Sequence, residues 1–168
     1  MPLLIGTAPF GLIFGVFALN AGFGSIGAQS LSVFVFAGSS QFVGANLYGQ
    51  GASLEIIFLA TLSINLRHFL YGASLGPKLI RTSPRHRVLI SFFLTDEAFA
   101  VVSKFKKVHS RYYWGAALAM YLNWQTWTCI GILFAPFFKS ITSINFGFIM
   151  VPAFLTIIVQ QVINRSLL

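Results

Sequence analysis

Acidic side chains are nearly missing from this chain. Its 168 residues hold three Asp and Glu against eleven Lys and Arg, and no Asp, Glu, Lys, Arg or His precedes Glu55. Charged residues make up 8% of the chain and hydrophobic ones 57%, whereas ordinary soluble domains carry about 25% charged residues. So few charges cannot keep a soluble surface wetted, which places the chain in the membrane class. A lone cysteine, Cys129, excludes an intrachain disulfide and reads as a small packed residue in an apolar stretch. His68, His86 and His109 lie far apart, the last two among basic residues, so no compact metal-ligand spacing exists. No G-x-S-x-G or H-E-x-x-H arrangement occurs. Neither metal, cofactor nor enzymatic activity is therefore expected. Nor is residues 2–23 a signal peptide, because it has no basic leader and runs directly into another apolar segment.

What the chain does have is six apolar segments, at 2–23, 26–47, 52–75, 88–102, 113–138 and 146–163. Runs this long without alternation exclude barrel strands, and a backbone in lipid must satisfy its own hydrogen bonds, so helix is the assignment. The expected fold is all-α: a polytopic membrane helix bundle with interrupted or re-entrant helices, residues 1–168 forming a single transmembrane domain. Three segments carry interruptions, at Thr7-Ala8-Pro9-Phe10-Gly11, at Gly38-Ser39-Ser40-Gln41 and at Pro152. These are either broken helices of the transporter kind, whose half-helix ends hold substrates, or ordinary kinks. Small residues four apart (Gly11 and Gly15, Gly72 and Gly76, Gly115 and Ala119, Gly131 and Ala135) predict close helix packing.

The formal +8 charge is gathered mainly in two stretches: Lys78, Arg81, Arg85 and Arg87, then Lys104, Lys106, Lys107 and Arg111. This is the pattern of cytoplasmic loops beside anionic lipid, not of a nucleic-acid-binding groove. Both stretches belong on one side of the membrane, yet the residues between them, 88–103, make a helix only about 24 Å long against a hydrocarbon core of about 30 Å. That segment is expected to enter and return, or to cross only with help from its neighbours. Three apolar segments before the first basic loop put the N-terminus outside by parity, a count that interrupted segments undermine. Tyr112-Tyr113-Trp114 suits a headgroup boundary.

Two of the three acids, Asp96 and Glu97, stand side by side in the apolar run Val88 to Val102. A carboxylate at mid-membrane depth costs about 2.5 to 3.5 kcal/mol on insertion scales, so such groups usually mark a pathway or a site. On a helix, Arg67 and Tyr71 share one face, and Asn65, His68 and Gly72 a neighbouring one. Arg67 either snorkels toward headgroups, binds a carboxylate, or pairs with Asp96 or Glu97, while His68 offers a proton acceptor. Asn123-Trp124-Gln125-Thr126-Trp127-Thr128 is either interhelical glue or the lining of a cavity. Gln41, with Ser39 and Ser40 before it, supplies uncharged donors and acceptors.

Three stretches, Pro9-Phe10-Gly11-Leu12-Ile13-Phe14-Gly15, Phe36-Ala37-Gly38-Ser39-Ser40-Gln41-Phe42 and Ile64-Asn65-Leu66-Arg67-His68-Phe69-Leu70-Tyr71-Gly72, followed by Leu94-Thr95-Asp96-Glu97, resemble the AzlC family. These are the large subunits of bacterial branched-chain amino acid exporters, multi-pass proteins of the cytoplasmic (inner) membrane. The resemblance runs from near Met1 to about Val162 and implies a permease working with a small hydrophobic AzlD-type subunit. Members usually have a short polar lead and continue through further apolar segments past the region matching Phe146 to Val162. The chain is accordingly expected to be a shortened member.

The resemblance implies a site for a small zwitterion. Arg67, or helix-end amides near Gly38 and Gly11, would hold its carboxylate, and Asp96 or Glu97 would face its ammonium. Phe10, Phe36 and Trp124 would line the apolar part, with Ser39, Ser40, Gln41, Asn65, Tyr71 and Asn123 completing the polar lining. Asp96, Glu97 and His68 are the candidates for proton coupling, and the two adjacent acids would titrate as a pair. Three function classes remain open: a secondary exporter of branched-chain amino acids, a channel or transporter of another small solute, and a noncatalytic membrane subunit.

Overall fold

The computed structural model describes residues 2–80 and 82–137, which are helical apart from turns and two short strands. The helices are α1 (Pro2–Asn20), α2 (Gly24–Phe34), α3 (Gly38–Gly49), α4 (Leu54–Asn65), α5 (Arg67–Leu75), α6 (Pro84–Phe92), α7 (Asp96–Ser103) and α8 (Ser110–Phe134). The strands are β1 (Leu79–Ile80) and β2 (Val108–His109). The sixth apolar segment, 146–163, and its Pro152 lie outside the described residues, as does the last residue of the fifth.

Length decides which helices can span. At about 1.5 Å per residue, α1 is about 28 Å long and α8 about 37 Å, whereas α2, α3, α6 and α7 reach only about 12 to 18 Å, half of a 30 Å core. By length and composition, Leu3–Asn20 and the nearly continuous run Leu54–Lys78 are long and apolar enough to cross a membrane. Within that run α4 and α5 meet at Leu66, whose carbonyl accepts from Phe69 N in a tightened turn.

The four half-length helices form two hairpins. α1 and α8 run parallel, because Thr7 meets Met120, Gly11 packs on Trp127, and Gly15 packs on Thr128 and Gly131. α2 runs back along α8, with Gln29 bonded to Gln125 and Tyr121 donating to the Val33 carbonyl. α3 then reverses again: Phe42 packs on Phe14 and Phe17, and Gly49 on Ala21. The α2–α3 hairpin thus starts and ends at the level of the α1 C-terminus. The α6–α7 hairpin starts and ends at the other level. β1 pairs in parallel with β2, Leu79 opposite Val108, and Lys78 Nζ donates to the Ser103 carbonyl at 2.9 Å. Both basic stretches therefore sit at one end, and the short segment between them returns instead of crossing.

Local chemistry explains where the chain turns. Gly22, Gly24 and Gly51 have φ of 96°, 64° and 74° and carry the two turns at the non-basic end. Ser53, Ser83 and Thr95 cap α4, α6 and α7 through their hydroxyls, accepting from Ile56 N, His86 N and Ala98 N. Pro84 follows Ser83 in the first turn of α6, where its missing N–H costs nothing. At the first hairpin's tip, Val35–Ala37, Phe36 takes φ of 41°.

Of the two readings of residues 7–11 the break is excluded, because Pro9 lies inside a continuous helix; the parity count and the headgroup reading of Tyr113 are corrected. In the turn before Pro9, Asn123 Nδ2 of α8 donates to the Leu4 carbonyl, and Thr7 Oγ1 donates to the Leu3 carbonyl of its own helix. The second apolar segment does not span, so parity reverses, and α1 begins at the basic end. Tyr113, for its part, is fully buried and donates to the Ile90 carbonyl at 2.6 Å, so it anchors α6 to α8 instead of marking a headgroup boundary.

Close packing uses only some of the small residues. A Cβ at Gly15 would collide with the Thr128 carbonyl, and one at Gly131 with the Leu12 carbonyl, so α1 and α8 touch backbone to backbone. At Gly72, Gly76 and Gly115 a Cβ would meet nothing within 4 Å. Gly15→Ala and Gly131→Ala should each destabilise the protein in detergent by about 1–3 kcal/mol through overpacking. Gly115→Ala should be neutral or slightly stabilising, because alanine favours helix by about 1 kcal/mol over glycine. Thermal unfolding of the three variants distinguishes these outcomes.

Candidate functional site

Three helix starts converge on one ion pair. Arg67 opens α5, Asp96 opens α7 behind its Thr95 cap, and Ser39 lies in the first turn of α3. Arg67 Nη1 stands 2.8 Å from Asp96 Oδ2, and about a fifth of each side chain is exposed (18% and 21%). The guanidinium's Nη2 donates to Ser39 Oγ at 2.6 Å. The other carboxylate oxygen, Asp96 Oδ1, accepts from the Tyr71 hydroxyl at 2.6 Å, and the Tyr71 ring stacks on Phe99 at 4.5 Å.

The electrostatics follow from position. Acids at a helix start meet unpaired N–H groups and the positive end of the helix dipole, so Asp96 and Glu97 are well placed at the head of α7. A cation at the head of α5 is disfavoured by the same dipole, and Asp96 offsets it. The two-pronged guanidinium suits this role because it serves a carboxylate and a hydroxyl at once, which an ammonium on a flexible stem does less well. Two buried atoms at this place have no hydrogen-bond partner: Arg67 Nε and Asn65 Oδ1. Buried polar groups are normally satisfied, so this unfilled donor and acceptor are exceptions among the described residues.

The remaining candidates fall into three places. His68 stays near the pair by sequence, its Nδ1 3.1 Å from the Asn65 carbonyl and its ring 5.8 Å from that of Tyr71. Glu97 sits half-buried beside Asp96, but Asp96 makes the ion pair. Gln41 and Ser40 face away from it: Gln41 Nε2 donates to Ser32 Oγ at 3.1 Å, and Ser40 Oγ donates to the Ala37 carbonyl. Ser32 in turn meets Thr128 at 2.9 Å, and Gln125 donates to the Ser32 carbonyl and accepts from Gln29. This buried ladder ties α2 and α3 to α8.

Asn123 belongs to neither group, being bonded to Leu4 and Thr7 of α1. Gly11 packs under Trp127, and Phe10 packs against the core formed by Phe14, Phe36 and Trp124. Gly38 lets the Trp124 ring approach, since a Cβ there would lie 3.1 Å from Cη2. The Trp124 Nε1 and Gln41 Oε1 atoms are buried without partners.

Ser32 and Gln29 are residues that sequence reasoning missed; Gln125 takes the interhelical-glue alternative, and Thr95 was named only as part of a motif. Thr95 was visible as an N-cap, a threonine followed by two acids, set inside an apolar run. Ser32 and Gln29 carried no signal, because single polar residues in an apolar helix look alike whether they bond or not.

Comparison with known proteins follows this geometry. The sequence profile of the AzlC protein family matches residues 2–138. An uncharacterized membrane protein of Archaeoglobus fulgidus is 36% identical over 79% of this chain and 58% of its own length. The inner membrane protein YgaZ of Escherichia coli is 32% identical over 78% of this chain and 56% of its own. The branched-chain amino acid transport protein AzlC of Bacillus subtilis is 31% identical over 96% of this chain and 64% of its own. The chain thus spans less than two thirds of the length of each. No solved structure matches. With a family profile covering all the described helices, including both hairpins and the Arg67–Asp96 pair, this chain belongs to the AzlC family of membrane proteins.

Proposed function

We propose that this chain forms the transport core of a secondary exporter of branched-chain amino acids, set in the bacterial cytoplasmic membrane and coupled to protons. The observation that carries the reading is the Arg67–Asp96 pair, 2.8 Å apart, with the guanidinium's Nε buried and unpartnered. An amino acid brings the same two charges in the same proximity. Its carboxylate can replace that of Asp96 on the guanidinium while its ammonium faces the Asp96 carboxylate so released. Charges are then exchanged pair for pair, and neither protein group is left buried and uncompensated. The name of the Bacillus subtilis relative supplies the substrate class. The aromatic wall of Phe36, Tyr121 and Trp124 suits a branched apolar side chain.

Orientation follows from the positive-inside rule: the basic end faces the cytoplasm, so α1 and α8 begin there and the α6–α7 hairpin enters from that side. Asp96, Glu97 and His68 are the proton-accepting groups of the proposal. A small hydrophobic AzlD-type subunit is the partner, as in the family that the chain belongs to.

Asp96→Asn keeps the hydrogen bond from Tyr71 but cannot titrate. It should reach the membrane at normal levels and export branched-chain amino acids no faster than cells lacking the chain. Resistance to toxic leucine or valine analogues is the readout, and wild-type resistance in this variant would remove the carboxylate from the mechanism. A second test addresses the pair as a purely structural clamp. Arg67→Met alone should destabilise the protein by about 3 kcal/mol, the low end for a buried pair losing one partner, because a fifth of each side chain stays exposed. Arg67→Met with Asp96→Asn should recover most of that stability in thermal unfolding without recovering export. Recovered export would make the pair a clamp.

A further inference from the structure

We propose that the two hairpins are the two gates of the Arg67 site: α2–α3 closes it toward the end bearing Gly22 and Gly51, and α6–α7 closes it toward the basic end. This rests on the transport reading above and adds the route by which the site is reached.

The arrangement is inverted. α1 rises from the basic end, a hairpin enters from the opposite end, and α4–α5 descends. Then, from α4–α5, a hairpin enters from the basic end and α8 rises. The second set has the topology of the first turned upside down, with α4–α5 shared, and inverted units around a midplane site are how alternating-access transporters are built. No sequence repeat announces this; it is a relation of directions.

The tips of the hairpins meet. Phe36 of one and Phe93 of the other have ring centroids 6.4 Å apart, and both rings pack on Tyr121 of α8, at 4.8 and 5.1 Å. Arg67, carried by the spanning α4–α5, holds Ser39 from the first hairpin and Asp96 from the second. One cation thus closes both gates. A substrate carboxylate that takes the Asp96 prong of the guanidinium releases the tip of the second hairpin and leaves that of the first held through Ser39, so that one gate opens while the other stays shut.

Packing keeps the hairpins separable. The first is buried in a cluster with Phe14, Phe17 and Trp124, and the second in a cluster with Leu75, Tyr113 and Ala117, while Phe93 packs against both. Phe36 holds the left-handed backbone (φ 41°) that a bulky residue adopts only under constraint. Strain of this kind at a hairpin tip favours its release once the opposing ring withdraws. On the outward limb of α3, a cleft of about 410 Å³ lined by Asn20, Asn46 and Gln50 among others opens beside α1 at the non-basic end.

The test uses single cysteines at the buried tip positions Ala37 and Leu94 in a Cys129→Ser background. A membrane-impermeant maleimide is applied to right-side-out and inside-out vesicles. Ala37→Cys should react only from the outer face and Leu94→Cys only from the cytoplasmic face, with L-leucine lowering each rate several-fold. Reaction of either from the wrong face, from both faces or from neither overturns the proposal. Should the tip variants fail to accumulate, cysteines at Ser25 and Gln50 should both label from outside and those at Ser83 and Lys106 both from inside. Labelling of Ser25→Cys and Gln50→Cys from opposite faces would mean that α2–α3 crosses, and would overturn it too. Labelling needs no transport readout. One-sided labelling without export refutes the amino-acid exporter and keeps the gates, and two-sided labelling with export does the reverse.

Discussion

A guanidinium in the middle of an apolar bundle must be neutralised where it stands, and the architecture follows from how Arg67 is neutralised. An unpaired charge at that depth costs about 2.5–3.5 kcal/mol on insertion scales. The chain meets that cost by ending helices early. α6 stops at Phe92 so that α7 can start with Asp96 against Arg67, and α2 stops at Phe34 so that α3 can bring Ser39 to the same group. Half-length helices cannot span, so each must turn back, and the two hairpins are the consequence of placing charge-compensating groups at mid-depth.

The rest of the molecule is frame. α1 and α8 lie backbone to backbone at Gly15 and Gly131, and their polar bonds, Asn123 to Leu4 and Thr7, are spent on each other. A buried ladder of Gln41, Ser32, Thr128, Gln125 and Gln29 fastens the first hairpin's limbs to α8. The second hairpin is held by Tyr113 to Ile90 and by Lys78 to Ser103. The polar side chains of this greasy chain thus divide between those that fix helices and those that surround Arg67, a division that residue type alone does not reveal.

Much of the fold was legible before the structure. Charge poverty pointed to the membrane class, and the two basic stretches around a segment too short to cross left it either returning or crossing with help; the structure has it return. The first hairpin was half legible: Gly38-Ser39-Ser40-Gln41 and the stretch around Pro9 each read as a break or a kink, and only the former is a break, helix α1 continuing through Pro9 with α8 bonded to the turn before it. Composition cannot say whether a neighbour will rescue a proline turn. Arg67 and Asp96 were visible as a possible pair because ionisable residues are so scarce. Their link to Ser39, and the assignment of Asn123 and Gln41 to packing, depended on helix directions. Those directions were hidden because counting segments assumes that each one crosses. Pairings between distant residues such as Ser32 and Thr128 leave no local trace.

In the proposed exchange Arg67 trades an internal carboxylate for the substrate's, and a structure of the protein with L-leucine bound is its test. The leucine carboxylate should lie on the Arg67 guanidinium with its ammonium facing Asp96, and the Arg67–Asp96 contact should be opened beyond salt-bridge distance. Leucine bound elsewhere, with Arg67 and Asp96 still 2.8 Å apart, would contradict it.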